Sequence, residues 1–117
     1  MNQEQAKETL HEFYVAGVKY HELYTCIAEV EVGETLIMIQ ETDPEVLKYD
    51  PNAVRLYHSS HHEEMVMVGF VPARQSAQVS ALLEVMSDVL IAEVIEVNPK
   101  EKPWFQLKVA IKEVQDA

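Results

Sequence analysis

Two apolar runs constrain the fold of this chain more than any other feature. They are "TLIMIQ" at Thr35–Gln40 and "MVMVGFV" at residues 65–71. Both have the length and the β-branched content of strands, but neither alternates with polar residues as a strand with one solvent-exposed face would. A sheet that curls on itself, with a helix over the opening, would bury both faces. The runs therefore predict a small closed or partly closed β-barrel.

Other apolar patterns complete a fold of six strands and two helices. Period-two patterns predict further strands at residues 13–20, 53–57, 89–97 and 104–114. Leu23, Ile27 and Val30 recur at helical spacing before Gly33, which is a natural helix stop. A second helix is predicted after Pro72 from the spacing of Val79, Leu82, Leu83 and Met86. The predicted fold class is mainly β with two helices.

The domain organisation is predicted to be simple. Residues 1–12 are polar on all sides and are interpreted as an N-terminal arm or short helix. Residues 13–117 are interpreted as one domain, since a chain of 117 residues has room for a single core. Gly17, inside the first predicted strand, is interpreted as a bulge or a close backbone approach.

The charge of the chain limits the partners it can bind. Asp and Glu number 20 against 9 Lys and Arg, which gives a net charge of −11. An acidic surface repels phosphate backbones and anionic lipids, so broad duplex binding and membrane association are not expected. Any nucleic-acid role must rest on stacking and a few placed groups. Because there is no apolar span and no signal-peptide core, we interpret the protein as cytoplasmic, with no membrane partner.

Residues for catalysis are hard to assemble from this sequence. Glycine occurs only three times, so a phosphate-cradling Gly-rich loop is absent. Cys26 is the only cysteine, which excludes an internal disulfide and a thiolate zinc site. It lies on an apolar helical stretch and is interpreted as a core thiol rather than a nucleophile. We expect no enzymatic activity and no cofactor.

The segment "HSSHHEE" contains the one metal-like feature, formed by His58, His61 and His62. Imidazoles three or four residues apart share a metal only where the chain between them is rigid or helical. Because two serines share this segment, we interpret it as a solvated hairpin loop. The three histidines are therefore weak metal candidates, and no metal site is predicted.

The stretch "KYDPNAVRLY" at residues 48–57 combines turn chemistry with ligand-binding groups. Asp50 can close an Asx-turn and Pro51 fixes φ, so the stretch predicts a bend. Two interpretations of its side chains remain open. They are packing residues and a turn cap, or they form a site where aromatic rings stack on bases and a carboxylate accepts from a sugar hydroxyl. The candidate residues of such a site are Lys19, Tyr20, Lys48, Tyr49, Asp50 and Phe70.

The segments "FYVAGVKYH", "YDPNAVRLY" and "VGFVPA", the last followed by a predicted helix, resemble the HIRAN domain family. The resemblance implies an OB-like β-barrel, here six-stranded, and a module that binds the 3′ end of single-stranded DNA. By the matching motifs, Tyr20 and Tyr49 would stack the terminal bases and Asp50 would hold the 3′-hydroxyl. Lys19 and Lys48 would neutralise the nearest phosphates. Phe70 would shape the pocket wall.

The resulting hypothesis is a non-catalytic DNA-binding module whose partners are single-stranded DNA ends, together with a helicase or nuclease from another chain. The alternative is a protein-interaction domain, in which the same rim takes a peptide or a partner subunit of a DNA-processing complex. The acidic surface would then favour a basic partner.

Overall fold

Six strands and three helices make up the described part of the chain. The computed structural model describes residues 6–59 and 64–115, without the side chains of Ala6, Lys19 and Gln115. The strands are β1 (Ala6–Tyr14), β2 (Thr35–Gln40), β3 (Val54–Ser59), β4 (Met65–Phe70), β5 (Leu90–Val97) and β6 (Leu107–Gln115). The helices are α1 (Leu23–Cys26), α2 (Pro44–Leu47) and α3 (Ala73–Met86), and 3₁₀ turns lie at Val18–Tyr20, Ile27–Glu29 and Pro103–Phe105.

All six strands belong to one antiparallel sheet, in the order β1-β6-β5-β2-β3-β4. The sheet curls until the segment after β1 reaches the opposite edge. There Ala16 and Phe70 of β4 exchange both backbone hydrogen bonds at 2.8 Å. The preceding residue, Val15, still bonds to β6, because its N–H donates to the Leu107 carbonyl. The predicted mainly β fold is confirmed. The sheet is barrel-like, but within the described chain its edges meet at this one pair and not along a ladder.

The two edges can meet because position 69 is a glycine. Gly69 is buried and has φ +154°, a conformation that other residues rarely adopt. A Cβ atom here would collide with the Ala16 carbonyl oxygen and would lie 2.6 Å from Val15 Cγ1. The close backbone approach predicted at Gly17 is therefore located at Gly69. Gly17 instead has φ +71° and begins the 3₁₀ turn Val18–Tyr20.

The core lies inside the curl, and α3 packs against it. Val79 of α3 is fully buried, and the helix contacts both β3 and β5. Leu36 of the first apolar run is buried, as predicted, but Ile37 and Ile39 remain 38% and 37% exposed. The prediction that the run is buried on both faces is wrong, because the residues of a strand alternate between faces and only one face points into the curl. Among the described residues, no helix is long and apolar enough to span a membrane.

The N-terminal prediction is also wrong over its described part, since β1 begins at Ala6 where an arm or short helix was expected. The strand forms through distant partners, because its backbone pairs with β6 from Ala6↔Gln115 to Tyr14↔Lys108. The Lys7 ammonium adds an ion pair to Glu93 of β5 at 2.9 Å. A polar segment with no helical or strand pattern of its own thus becomes an edge strand.

Several predicted elements have different bounds. The strand expected at residues 13–20 ends at Tyr14, and the helix expected before Gly33 is α1 continued by the turn Ile27–Glu29. The last strand begins at Leu107, so Trp104 lies in a 3₁₀ turn rather than in a strand. α2 falls between the strands predicted at residues 35–40 and 53–57, where no helix was predicted. The predicted hairpin loop lies mostly outside the described residues, but its first histidine, His58, belongs to β3.

Candidate nucleic-acid interface

An apolar cavity of about 380 Å³ opens between the end of β4, the turn after α2 and the start of α3. Phe70 and Val71 line it from the end of β4, and Tyr49 and Asp50 line it from the turn. Gly17 lines it from the segment that pairs with β4. Three of the six predicted site residues, which come from two separate parts of the chain, therefore surround one cavity.

The bend that presents two of these residues is built by local hydrogen bonds. The Asp43 side chain caps α2 by accepting from the Glu45 N–H at 2.9 Å. After α2, the Asn52 N–H donates to Asp50 Oδ1 at 3.0 Å, which closes the predicted Asx-turn. Tyr49 directly precedes Asp50 at this bend and is 89% exposed. A ring this exposed is available to stack on a planar ligand.

The two oxygens of the Asp50 carboxylate have different surroundings. Oδ1 lies within hydrogen-bonding distance of the Asn52 N–H and of the Ser76 hydroxyl, the latter at 2.9 Å. No donor from the described residues reaches Oδ2. The turn-cap and ligand-binding interpretations are therefore compatible, because one oxygen closes the turn and the other can accept from a ligand hydroxyl or amine.

A second cavity of about 270 Å³ adjoins the first, and Gly17 lines both. Tyr20 and Trp104 lie on its sides and are 80% and 54% exposed. Tyr20 ends the 3₁₀ turn that starts after Gly17, and its N–H donates to the Gly17 carbonyl at 3.0 Å. Three exposed aromatic rings, those of Tyr49, Tyr20 and Trp104, thus line two cavities that share Gly17, and we call this surface the aromatic rim.

Positive charge near this rim is sparse. The Lys48 ammonium is paired with Glu45 at 3.0 Å, and Glu45 itself lines the first cavity. Both side chains are exposed, so the pair is weak and a phosphate can compete for the lysine. The predicted role of the Lys19 side chain lies outside the described structure. Lys102 adds a cation 5.7 Å from the centroid of the Trp104 ring.

Phe70 is half-buried and is held from two sides. Its backbone pairs with Ala16, and its ring meets His21 edge-to-face at 5.3 Å between centroids. Burial lowers the pKa of His21 below its usual value, against the opposing effect of Glu22 and Glu41. The lowered pKa favours the neutral imidazole near pH 7, so His21 brings little positive charge to the side of Phe70.

A larger cavity of about 450 Å³ lies elsewhere, beside Tyr14, Glu96 and Asn98. Its polar groups bond to one another, because the Asn98 amide and the Tyr14 hydroxyl both donate to Glu96 Oε1, at 2.6 and 3.0 Å. These two bonds lower the pKa of Glu96. Glu96 Oε1 of this cavity is thus already occupied by two donors of the protein.

The other predicted chemical groups lie away from the rim. His58 is 2% exposed, with Nε2 3.4 Å from Glu34 Oε2, so its placement in a solvated loop is wrong. His61 and His62 lie outside the described residues. Over the described ranges, no three His, Cys, Asp or Glu side chains come together to hold a metal. Cys26 is buried, as predicted, and burial raises the pKa of its thiol.

Sequence reasoning missed two residues, Trp104 of the rim and Ser76, which bonds to Asp50 from behind the rim. Trp104 was assigned to a strand. The preceding Pro103 and the charged residues of "KEKPW" instead mark a turn. An exposed tryptophan ring is unusual in such a turn, and this was the signal that could have found it. Ser76 carries no signal in the sequence, because its partner Asp50 is 26 residues away.

A comparison with protein families places the chain. The family model described as HIRAN domain matches residues 9–114, which is nearly the whole chain. No curated protein and no solved structure matches the chain significantly. The family match covers the aromatic rim, the bend at Tyr49 and Asp50, and the closure at Gly69. The chain therefore belongs to the HIRAN domain family.

Proposed function

We propose that this protein is a non-catalytic module that binds single-stranded DNA and captures its 3′-hydroxyl end. One observation carries the proposal: the exposed ring of Tyr49 and the carboxylate of Asp50 lie side by side and both line an apolar cavity. No donor from the described residues reaches one oxygen of that carboxylate. Membership of a family of single-stranded-DNA-binding modules supports the choice of ligand.

The proposed binding mode follows the rim. The terminal base stacks on Tyr49 over the apolar cavity, with Phe70 as a wall, and Asp50 Oδ2 accepts a hydrogen bond from the 3′-hydroxyl. Tyr20 and Trp104 then offer ring faces to the terminal base and the preceding one. Base–aromatic stacking contributes about 1–3 kcal/mol per base and is tolerant of sequence. Binding by stacking is compatible with an acidic protein because it needs few cations.

Replacing Asp50 with asparagine is expected to remove the preference for a 3′-hydroxyl. The wild-type protein should bind an oligonucleotide ending in a 3′-hydroxyl about tenfold more tightly than one ending in a 3′-deoxy sugar, since a hydrogen bond to a charged group contributes about 1.5–3 kcal/mol. A 3′-phosphate should bind more weakly still, because it meets the carboxylate as a like charge. Fluorescence anisotropy titrations of the three oligonucleotides measure the ratios.

The variant should bind the 3′-hydroxyl and 3′-deoxy oligonucleotides almost equally. Asparagine can still accept from the Asn52 N–H, so the turn is kept, while the proposed acceptor Oδ2 is replaced by an uncharged NH₂ donor. Equal binding of the two oligonucleotides by the wild-type protein would contradict 3′-end recognition. No binding of either would contradict the DNA-binding function itself.

The salt dependence of binding is expected to be shallow. With two or three phosphate contacts, the slope of log K against log salt concentration should be roughly −1.5 to −2. Replacing Lys102, beside Trp104, with alanine should reduce the slope by about 0.7. The control is Lys100→Ala, which makes the same change of charge in the same exposed turn. Unlike Lys102, Lys100 has no described contact with a ring of the rim. Equal effects of the two variants would mean that Lys102 makes no specific contact.

A protein-interaction function is the second candidate, and one observation favours it. Glu45 and Asp50 both line the apolar cavity, which suits the aliphatic stem and cationic head of a lysine or arginine side chain. The occupant would be a basic peptide from a partner subunit, such as a helicase or nuclease. Replacing Glu45 with glutamine separates the two candidate functions. The change should weaken the binding of a basic peptide and strengthen the binding of DNA.

A further inference from the structure

We infer that Ser76 is a positioning residue for Asp50, and that its hydroxyl sets the strength of the 3′-hydroxyl preference. The inference rests on the proposed function and names a second residue on which that preference depends. Ser76 lies in the first turns of α3, is 1% exposed and does not line the cavity. It therefore does not contact the ligand itself, and the residue of the proposed site to which its hydroxyl bonds is Asp50.

The hydroxyl proton of Ser76 has two possible acceptors. Its Oγ lies 2.9 Å from Asp50 Oδ1 and 3.0 Å from the Ala73 carbonyl oxygen of the same helix. A serine hydroxyl carries one proton. Because hydrogen bonds to an ionised carboxylate are about twice as strong as neutral ones, Asp50 is the preferred acceptor.

Ser76 completes a pair of bonds that fixes the orientation of the carboxylate. With the Asn52 N–H alone on Oδ1, the carboxylate of Asp50 can still rotate about its Cβ–Cγ bond. A second donor on the same oxygen, coming from a different element, opposes that rotation. Oδ2 is then presented to the ligand in one orientation before binding, which lowers the ordering cost of recognition.

A purely structural role for Ser76 can be separated from this positioning role. Ser80 lies one helical turn further along α3 and is also buried, at 8% exposure. Its hydroxyl oxygen accepts from the Gln40 amide at 2.9 Å and does not contact Asp50. A serine-to-alanine change at Ser80 thus removes a buried hydroxyl from the same helix without touching the carboxylate, which makes it a matched control.

The test is anisotropy titration of the full chain with oligonucleotides that end in a 3′-hydroxyl or a 3′-deoxy sugar. Ser76→Ala should lower the ratio of the two affinities about fivefold, while its affinity for the 3′-deoxy oligonucleotide changes little. Ser80→Ala should keep the wild-type ratio. Ser76→Thr keeps a hydroxyl and should retain most of the preference.

A second readout needs no ligand. The exchange of the Asn52 amide hydrogen, followed by NMR, should be faster in Ser76→Ala than in the wild-type protein and in Ser80→Ala, because the acceptor of that amide is less well held. A wild-type protein without 3′-hydroxyl preference would overturn the proposed function and this inference with it. A clear wild-type preference that Ser76→Ala retains in full would overturn the inference alone.

Discussion

Replacing Gly69 with alanine is expected to lower the free energy of unfolding by about 3–5 kcal/mol. The new methyl group would collide with the Ala16 carbonyl oxygen and lie 2.6 Å from Val15 Cγ1. The backbone would also hold a non-glycine residue at φ +154°. Because the free energy of unfolding of domains of this size is only about 5–15 kcal/mol, much of the stability would be lost. Urea denaturation followed by circular dichroism measures the change.

The matched control for this substitution is Gly33→Ala. Gly33 also has a positive φ, +97°, but a Cβ atom there has no neighbour within 4 Å. Its expected cost is about 1–2 kcal/mol, from backbone strain alone. The difference between the two variants therefore measures the close approach of the segment after β1 to β4. Equal destabilisation by the two variants would show that this approach does not limit stability.

The close approach at Gly69 is also a condition for the site. It lets Ala16 pair with Phe70, and this pairing places Gly17 beside the ring of Phe70 at the cavity. A residue whose role is to close the fold thus also decides where the ligand can bind. Exposed side chains of the rim, by contrast, can be replaced without disturbing this closure.

Replacing both Tyr20 and Tyr49 with alanine is expected to weaken single-stranded DNA binding by about 100-fold, and each single change by about tenfold. The two rings lie on neighbouring cavities that share Gly17, so each provides a stacking face on the same rim. They are 80% and 89% exposed, so their loss should change the free energy of unfolding by only about 0.5 kcal/mol or less. Anisotropy titration and urea denaturation of the same variants separate binding from stability.

The chain provides a matched control in Tyr24, which is also 80% exposed but lines neither cavity. Tyr24→Ala should bind DNA as the wild-type protein does. If all three single variants weakened binding alike, the rim would not be the binding surface. If Tyr20→Ala and Tyr49→Ala bound normally, stacking on these rings would be excluded and the peptide alternative would gain support.

Local patterns predicted a large part of the fold. The spacing of Val79, Leu82, Leu83 and Met86 predicted α3, and the bend at Asp50 and Asn52 follows from turn chemistry over three residues. These predictions succeed because helical periodicity and side-chain capping act within one or two turns of chain. The same patterns failed where a distant partner decides, as in β1, which is a strand because β6 pairs with it.

The candidate site divides in the same way. Matching motifs pointed to Tyr20, Tyr49, Asp50 and Phe70, and the structure places three of them around one cavity and Tyr20 on the next. Lys48 was predicted as a phosphate contact from its place beside Tyr49, and the structure pairs its ammonium with Glu45, which the sequence did not indicate. Only the fold brings Trp104 to the rim and the Ser76 hydroxyl to Asp50.

By itself, the sequence determined which segments are strands and helices over most of the chain, and it determined the bend that presents Tyr49 and Asp50 together. Those features depend on residues a few positions apart. Only the tertiary structure decided that Gly69 closes the sheet against Ala16, and that Ser76 bonds to Asp50 from 26 residues away. Contacts of this kind depend on how distant segments meet in space, which a local pattern does not specify.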